Sequence, residues 1–270
     1  ASTASHKVCK TRGDMMRDQA GNSLWVSLAL AVVSVMGLAS PARAELMQVD
    51  LEALGGWQGR NVAQVPNAAP STRFSIDDIT GSGPFLQPRL QLAGTLGERS
   101  EWRVLLAPLG VDERGRLDRP VSFQGSTFAT GAVDAKYEFN SWRASWRYRW
   151  IERDDLQVKV GFTAKIRDAS IQLRQGAVTA RKDNTGFVPL LHGTFERRLG
   201  ADWRLEGDID ALAGGPGYAI DAGVRLSRRM SGDWHVYGTV RYLDGGANNE
   251  EVYAFARFTS VGLGLSWRPR

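Results

Sequence analysis

Cysteine is all but missing from this chain: Cys9 is the only one in 270 residues. It precedes the single long apolar run and so is not placed to carry a lipid. The chain beyond it has no disulfide, no thiol nucleophile and no thiolate metal ligand. Histidine is nearly as scarce, with only His192 and His235 after the N-terminal region. Two imidazoles without cysteine give no metal-site spacing, so neither a metal nor a cofactor is expected. Long apolar runs are absent after Leu38, which excludes a helical membrane span downstream. A strong basic excess is missing too. With residues 1–44 set aside, 29 basic residues face 27 acidic ones, a formal charge of +2. A nucleic-acid-binding protein needs a larger positive footprint, and no nucleic-acid partner is expected.

What the N-terminus does have is "SLWVSLALAVVSVMGLASPARAE". Arg17 precedes an apolar core from Leu24 to Leu38, and Ala42-Arg43-Ala44 follows it. That is the build of a secretory signal peptide removed after Ala44. Residues 1–44 are therefore expected to be an upstream extension and signal peptide, and residues 45–270 one domain. An exported chain that enters a membrane without helical spans must do so as a closed β-barrel. Only helices and barrels satisfy every backbone group within lipid.

The pattern of the remaining chain fits that requirement. In "NSWRASWRYRW", Trp142, Ala144, Trp146, Tyr148 and Trp150 share one parity, and Ser141, Arg143, Ser145, Arg147 and Arg149 share the other. Strict alternation marks a β-strand, whose successive side chains point to opposite faces. "LQVKVGFTAKIR", "WRLEGDID" and "WHVYGTVRY" alternate in the same sense. Arginine facing lipid near the midplane costs several kcal/mol, so the charged parity belongs to the lumen and the aromatic parity to lipid.

Short turn signals at Gly97-Glu98-Arg99-Ser100, Glu152-Arg153-Asp154-Asp155, Gly200-Ala201-Asp202 and Ser231-Gly232-Asp233 alternate with longer polar stretches near 67–84, 114–132, 174–186, 213–217 and 244–251. They separate ten expected strands, at about 46–62, 85–96, 101–112, 133–151, 156–172, 187–198, 203–212, 218–229, 234–243 and 252–267; eight or twelve remain open. The fold expected is all-β, a transmembrane antiparallel up-and-down barrel of the bacterial outer membrane. Trp102, Trp203 and Trp234 each follow a short turn, Trp150 precedes one and Trp267 ends the last strand. All five fall at one end, as a periplasmic aromatic girdle would. Pro108 sits awkwardly in its strand, because it has no N–H to give a sheet.

The lumen parity is charged and segregated. Arg143, Arg147, Arg149, Lys159, Lys165 and Arg167 form a basic wall on two strands. Asp50, Glu52, Glu206, Asp208, Asp210 and Asp221 form an acidic one. Three functions compete. Opposing walls that neutralise each other make an occluded barrel with a structural or surface-interaction role. A basic wall left open makes a small anion-selective pore. A hydrolase acting on lipid or peptide needs a nucleophile and a base, for which the weak candidates are His192, Asp208 and Asp210. No serine or third acid stands at a spacing that completes a triad. Asp77 and Asp78 in "RFSIDDITGSGP" are candidates for a divalent ion or for lipopolysaccharide, although paired acids in such loops are usually solvated.

The segments "KYEFNSWRASWRYRW", "VGFTAKIRDASI", "GFVPLLHG" and "VGLGLSWR" resemble a group of uncharacterised proteobacterial outer-membrane β-barrel proteins. The resemblance covers essentially all of residues 45–270. It implies an outer-membrane location, contact with outer-membrane lipid and lipopolysaccharide, and insertion by the barrel assembly machinery, with no established activity to carry over. Such barrels usually end on an aromatic residue, whereas Arg268-Pro269-Arg270 follows Trp267 here.

Overall fold

The structure, a computed structural model, describes residues 44–215 and 217–269. Nearly all of the expected signal peptide, residues 1–43, lies outside the described residues. In chain order the elements are β1 (Glu45–Gln64), β2 (Phe74–Ser75), the short helix α1 (Ile76–Thr80), β3 (Phe85–Thr95), β4 (Ser100–Ala107), β5 (Gly110–Leu117), β6 (Val121–Phe123), β7 (Ser126–Phe128), β8 (Gly131–Glu152), β9 (Leu156–Gln175), β10 (Val178–Arg198), β11 (Trp203–Gly214), β12 (Gly217–Ser231), β13 (Trp234–Asn248) and β14 (Tyr253–Trp267).

Each long strand pairs antiparallel with its neighbours, and β14 returns to β1 to close the barrel, from Val49↔Trp267 to Gln64↔Tyr253. β4 and β5 together form a single stave against β8, interrupted at Pro108-Leu109. Counted that way the barrel has ten staves, with β2 and the β6–β7 hairpin as additions at one end. Closure pairs every stave on both sides at the short-turn end, as a spanning barrel requires, whereas towards the loop end β10 runs on past its pairing with β11.

Three of the expected loops are instead strand. β9 and β10 run on until only residues 176–177 separate them, residues 215–216 separate β11 from β12, and residues 249–252 separate β13 from β14. The two long connections are 65–84, which carries β2 and α1, and 118–130, which carries β6 and β7. Both lie at the end opposite the short turns.

The polarity of the strands reverses part-way along. On β8, Trp146 and Trp150 are exposed outward while Ser141, Arg143, Ser145 and Arg147 are buried inside. Nearer the loop end of the same strand the inward positions are Val133, Ala135 and Tyr137, and Asp134, Lys136 and Glu138 take the outer face. On β9 the outward residues pass from Val160 and Phe162 to Gln172 and Arg174, and the inward ones from Thr163 and Lys165 to Ile171 and Leu173. A hydrocarbon solvent selects the first arrangement and water selects the second. A strand of 22 residues, at ~3.3 Å each and tilted ~45°, rises about 50 Å, roughly twice an outer-membrane apolar band.

The loop-end interior is consequently an ordinary hydrophobic core. Phe74, Ile76 and Ile79 from the first long connection and Val121, Phe123 and Phe128 from the second pack onto Val111, Leu117, Val133, Leu173 and Phe258 of the wall. Gly115 admits α1: a Cβ there would lie 1.7 Å from the Ile79 carbonyl oxygen. On the outer wall beside this core, chiefly the hydrogen bond from Lys136 holds the Glu138 carboxyl below the usual carboxylate range.

Candidate functional site

Alternation carries charged side chains inward from nearly every stave, and register decides which of them meet. At the short-turn end, Glu101 receives Lys159 at 2.8 Å, Arg147 at 3.0 Å and Arg149 at 3.7 Å. Across the lumen, Arg225 donates to Asp50 at 2.6 Å and to Glu206 at 2.9 Å, and Arg268 donates to Glu206 at 2.6 Å. Arg225 also lies over the ring of Tyr237, 4.8 Å from its centroid.

The middle of the lumen is a bridged network. Asp210 accepts hydrogen bonds from Arg103, Arg143 and Thr163, all at 2.7 Å. Arg143 reaches Asp221 with its other terminal nitrogen. Asp221 is shared with Arg241 at 2.9 Å and Arg89 at 3.8 Å; Arg241 also pairs with Asp208 at 2.8 Å, and Arg89 with Glu52 at 3.0 Å. Arg103, Arg143, Asp210 and Asp221 are all buried. Small inward residues make room for the large ones: a Cβ on Gly223 would stand 2.3 Å from Arg241, and one on Gly264 would stand 2.2 Å from Tyr237.

His192 faces Asp210 across the β10–β11 register, with its Nδ1 2.7 Å from the carboxylate. Both side chains are fully sealed. The Nε2 of His192 meets no partner among the described residues, and Ser145 bonds to Thr163 rather than to the imidazole. The pair therefore sits inside the network without a reachable nucleophile. His235 is buried near the short turns, opposite Ser266. Asp77 anchors its loop by accepting a hydrogen bond from the backbone N–H of Asn61 at 3.0 Å, whereas Asp78 is exposed. No group of three or more His, Cys, Asp or Glu side chains that could hold a metal occurs among the described residues.

Two members of the basic wall stand apart. Lys165 is 4 % exposed, and among the described residues it makes neither a hydrogen bond nor an ion pair; its Nζ lies 4.8 Å from the Phe139 ring centroid. Arg167 reaches Asn184 but no carboxylate. Both line a cavity of about 420 Å³ above the network. Below it the voids are small, about 60 Å³ beside Asp50, Arg147 and Arg225 and about 30 Å³ beside Arg143 and Leu243.

Outside, the five tryptophans occupy the short-turn end. Trp150, Trp203 and Trp234 are exposed, Trp267 pairs with Trp234, and Trp102 lies against Gly94. Above them Leu51, Phe162, Val224, Val240 and Leu263 continue an exposed apolar belt. No helix among the described residues is long and apolar enough to cross a membrane. Sequence reasoning did not single out Arg89, Glu101 and Arg103, yet they complete the network. The available signal was parity, because Glu101 and Arg103 flank Trp102 on the opposite face.

No protein-family model matches the sequence, and no curated protein matches it. Among solved structures, the outer membrane protease OmpT from Escherichia coli superimposes with a TM-score of 0.53 at 9% identity, over 84% of this chain and 97% of that one. Two others match at a TM-score of 0.36: Ail of Yersinia pestis, solved with the heparin analogue sucrose octasulfate, at 10% identity over 82% and 99%, and a Pseudomonas aeruginosa FadL homologue at 7% identity over 84% and 91%. At these identities the likeness to OmpT is one of fold, and the fold is the closed antiparallel barrel of outer-membrane proteins.

Proposed function

We propose that the protein is an outer-membrane barrel whose interior is closed by its own charges, and that it serves as a structural or surface-interaction module rather than as a channel. The observation that carries this reading is Arg143 bridging Asp210 and Asp221 at the centre of the lumen, with no exposed side-chain surface. Three further features support it. The voids beside the network hold only a few waters each. A hydrophobic core fills much of the loop end. The exposed apolar belt with its tryptophan rim suits a bilayer and contact with outer-membrane lipid.

The pore reading needs a basic wall free to attract anions, but Glu101, Asp210 and Asp221 hold four of its six members. The hydrolase reading needs access to His192, which is sealed. Ion conductance of the refolded protein in a planar bilayer tests the proposal, after a heat-sensitive gel shift confirms folding. A silent, folded barrel is expected. Discrete anion-selective steps that weaken when Arg143 and Arg147 are neutralised would overturn it.

A further inference from the structure

The barrel wall is not complete at every height. β10 pairs with β9 along its whole length but with β11 only from Leu191↔Ala211 to Arg198↔Arg204. From Val178 to Leu190 no strand among the described residues pairs with its other edge, and the β11–β12 hairpin turns back at Gly214↔Gly217. Pro189 lies in this single-neighbour stretch, where a missing N–H costs a sheet least. The result is a lateral split between the tall β9–β10 hairpin and the short β11–β12 hairpin.

The split opens into the cavity of about 420 Å³, whose lining includes both banks: Phe187, Val188 and Leu190 on one side, Leu212, Tyr218 and Ile220 on the other. Phe187, Leu191, Leu212 and Ile220 are exposed on its lips. It opens at the upper edge of the apolar belt, where the outer face of β9 passes from Phe162 and Ile166 to Asp168. The size is within the range of small-molecule sites.

Charge is what gives the cavity a direction. Asp210, Asp221 and Asp244 also border it, but Arg103, Arg143, Arg89, Arg241 and Arg257 already hold them, and exposed Glu251 and half-buried Lys182 complete its charged lining. Lys165, buried, and Arg167, half-buried, are basic side chains left without a carboxylate partner. A buried ammonium with no counter-ion is costly, and an anion that entered beside it would relieve the cost.

We propose that this cavity binds an amphiphile with an anionic head and a single long acyl chain, the head against Lys165 and Arg167 and the chain leaving through the split towards lipid. Free fatty acids and lysophospholipids share that chemistry. The proposal rests on the barrel lying in a bilayer to the level of its belt, and it goes beyond the closed-lumen reading.

Photolabelling of the full protein in phosphatidylcholine vesicles with a diazirine analogue of palmitate tests it. Adducts are expected on the banks of the split, within 182–190 and 210–221. Competition by unlabelled palmitate or by lysophosphatidate identifies which head group is preferred; suppression by neither overturns the proposal. Lys165→Met with Arg167→Gln should lower labelling about tenfold or more, the loss expected for charge-assisted hydrogen bonds. Unchanged labelling would overturn the idea, as would adducts confined to belt residues such as Phe162 and Leu263. Should the double variant fail to fold, the unaltered protein decides. A diazirine analogue of hexadecanol must label the split far more weakly than the palmitate analogue, and equal labelling refutes the role of charge. A conducting barrel would still label, so failure here and failure of the closed-lumen reading are distinguishable.

Discussion

Replacing Arg143 with methionine removes the central bridge while keeping most of the side-chain volume. The guanidinium donates to Asp210 at 2.7 Å, to Asp221 and, through Nε, to Ser141 at 2.9 Å. Breaking a buried pair from one side costs about 3–5 kcal/mol, because the remaining charge stays buried without compensation. Here the cost should fall near the lower end, about 3 kcal/mol. Asp210 keeps Arg103, Thr163 and His192, and Asp221 keeps Arg241 and Arg89. Adding Asp221→Asn restores the balance of charge, so the double variant should be more stable than the sum of the two single losses by about 2 kcal/mol, a coupling typical of directly contacting groups. Urea unfolding of the barrel in lipid vesicles, followed by tryptophan fluorescence in both directions, measures all four corners of the cycle. A cost below about 1 kcal/mol for Arg143→Met, together with additive double losses, would refute the network as a source of stability.

Lys165→Met makes the opposite test: with no ion pair to lose, the ligand-free barrel should unfold at equal or higher urea, since apolar replacement of a buried charge is neutral or stabilising. Phe162→Arg should destabilise by about 2–4 kcal/mol and Gln172→Arg on the same face of β9 by less than about 0.5, which locates the hydrocarbon boundary between them in the same urea assay. Phe128→Ala removes a fully buried ring from the loop-end core and should cost about 3–5 kcal/mol there; hydrogen exchange should rise in 118–130 while the belt strands keep their protection.

Much of the barrel was legible in the sequence because one-sided solvation writes a period of two. Trp142 to Trp150 against Arg143 to Arg149 gives β8, its orientation and its lumen face without further information. The misread stretch 174–186 shows where that signal ends. Its inward residues include Lys182 and Asn184 and its outward ones Arg181 and Asp183, so both faces are polar and no alternation survives. The loop-end core was hidden for a related reason: its strand residues share a parity with the charged lumen, so Val133 and Arg143 look like members of different faces until the change of solvent is known. The contact of His192 with Asp210 is a matter of register, which short-range patterning constrains only weakly. Lys165 and Arg167 were readable as basic and inward. That they alone of the six-residue basic wall lack a carboxylate depends on which partners Arg143 and Arg103 take, and only three-dimensional placement supplies that.

The reversal of polarity along β8 and β9 also gives the molecule a float line. Sinking by two residues would move each strand about 6.6 Å along its axis, or roughly 5 Å in depth. Glu138 and Asn140 on β8 and Asp168 on β9 would then enter hydrocarbon. Rising by as much would lift Phe162, Val224 and Leu263 towards water. Both displacements are opposed all around the circumference at once, so the barrel's draught is set by the chain itself. That draught would hold the mouth of the β10–β11 split at the upper edge of the apolar belt.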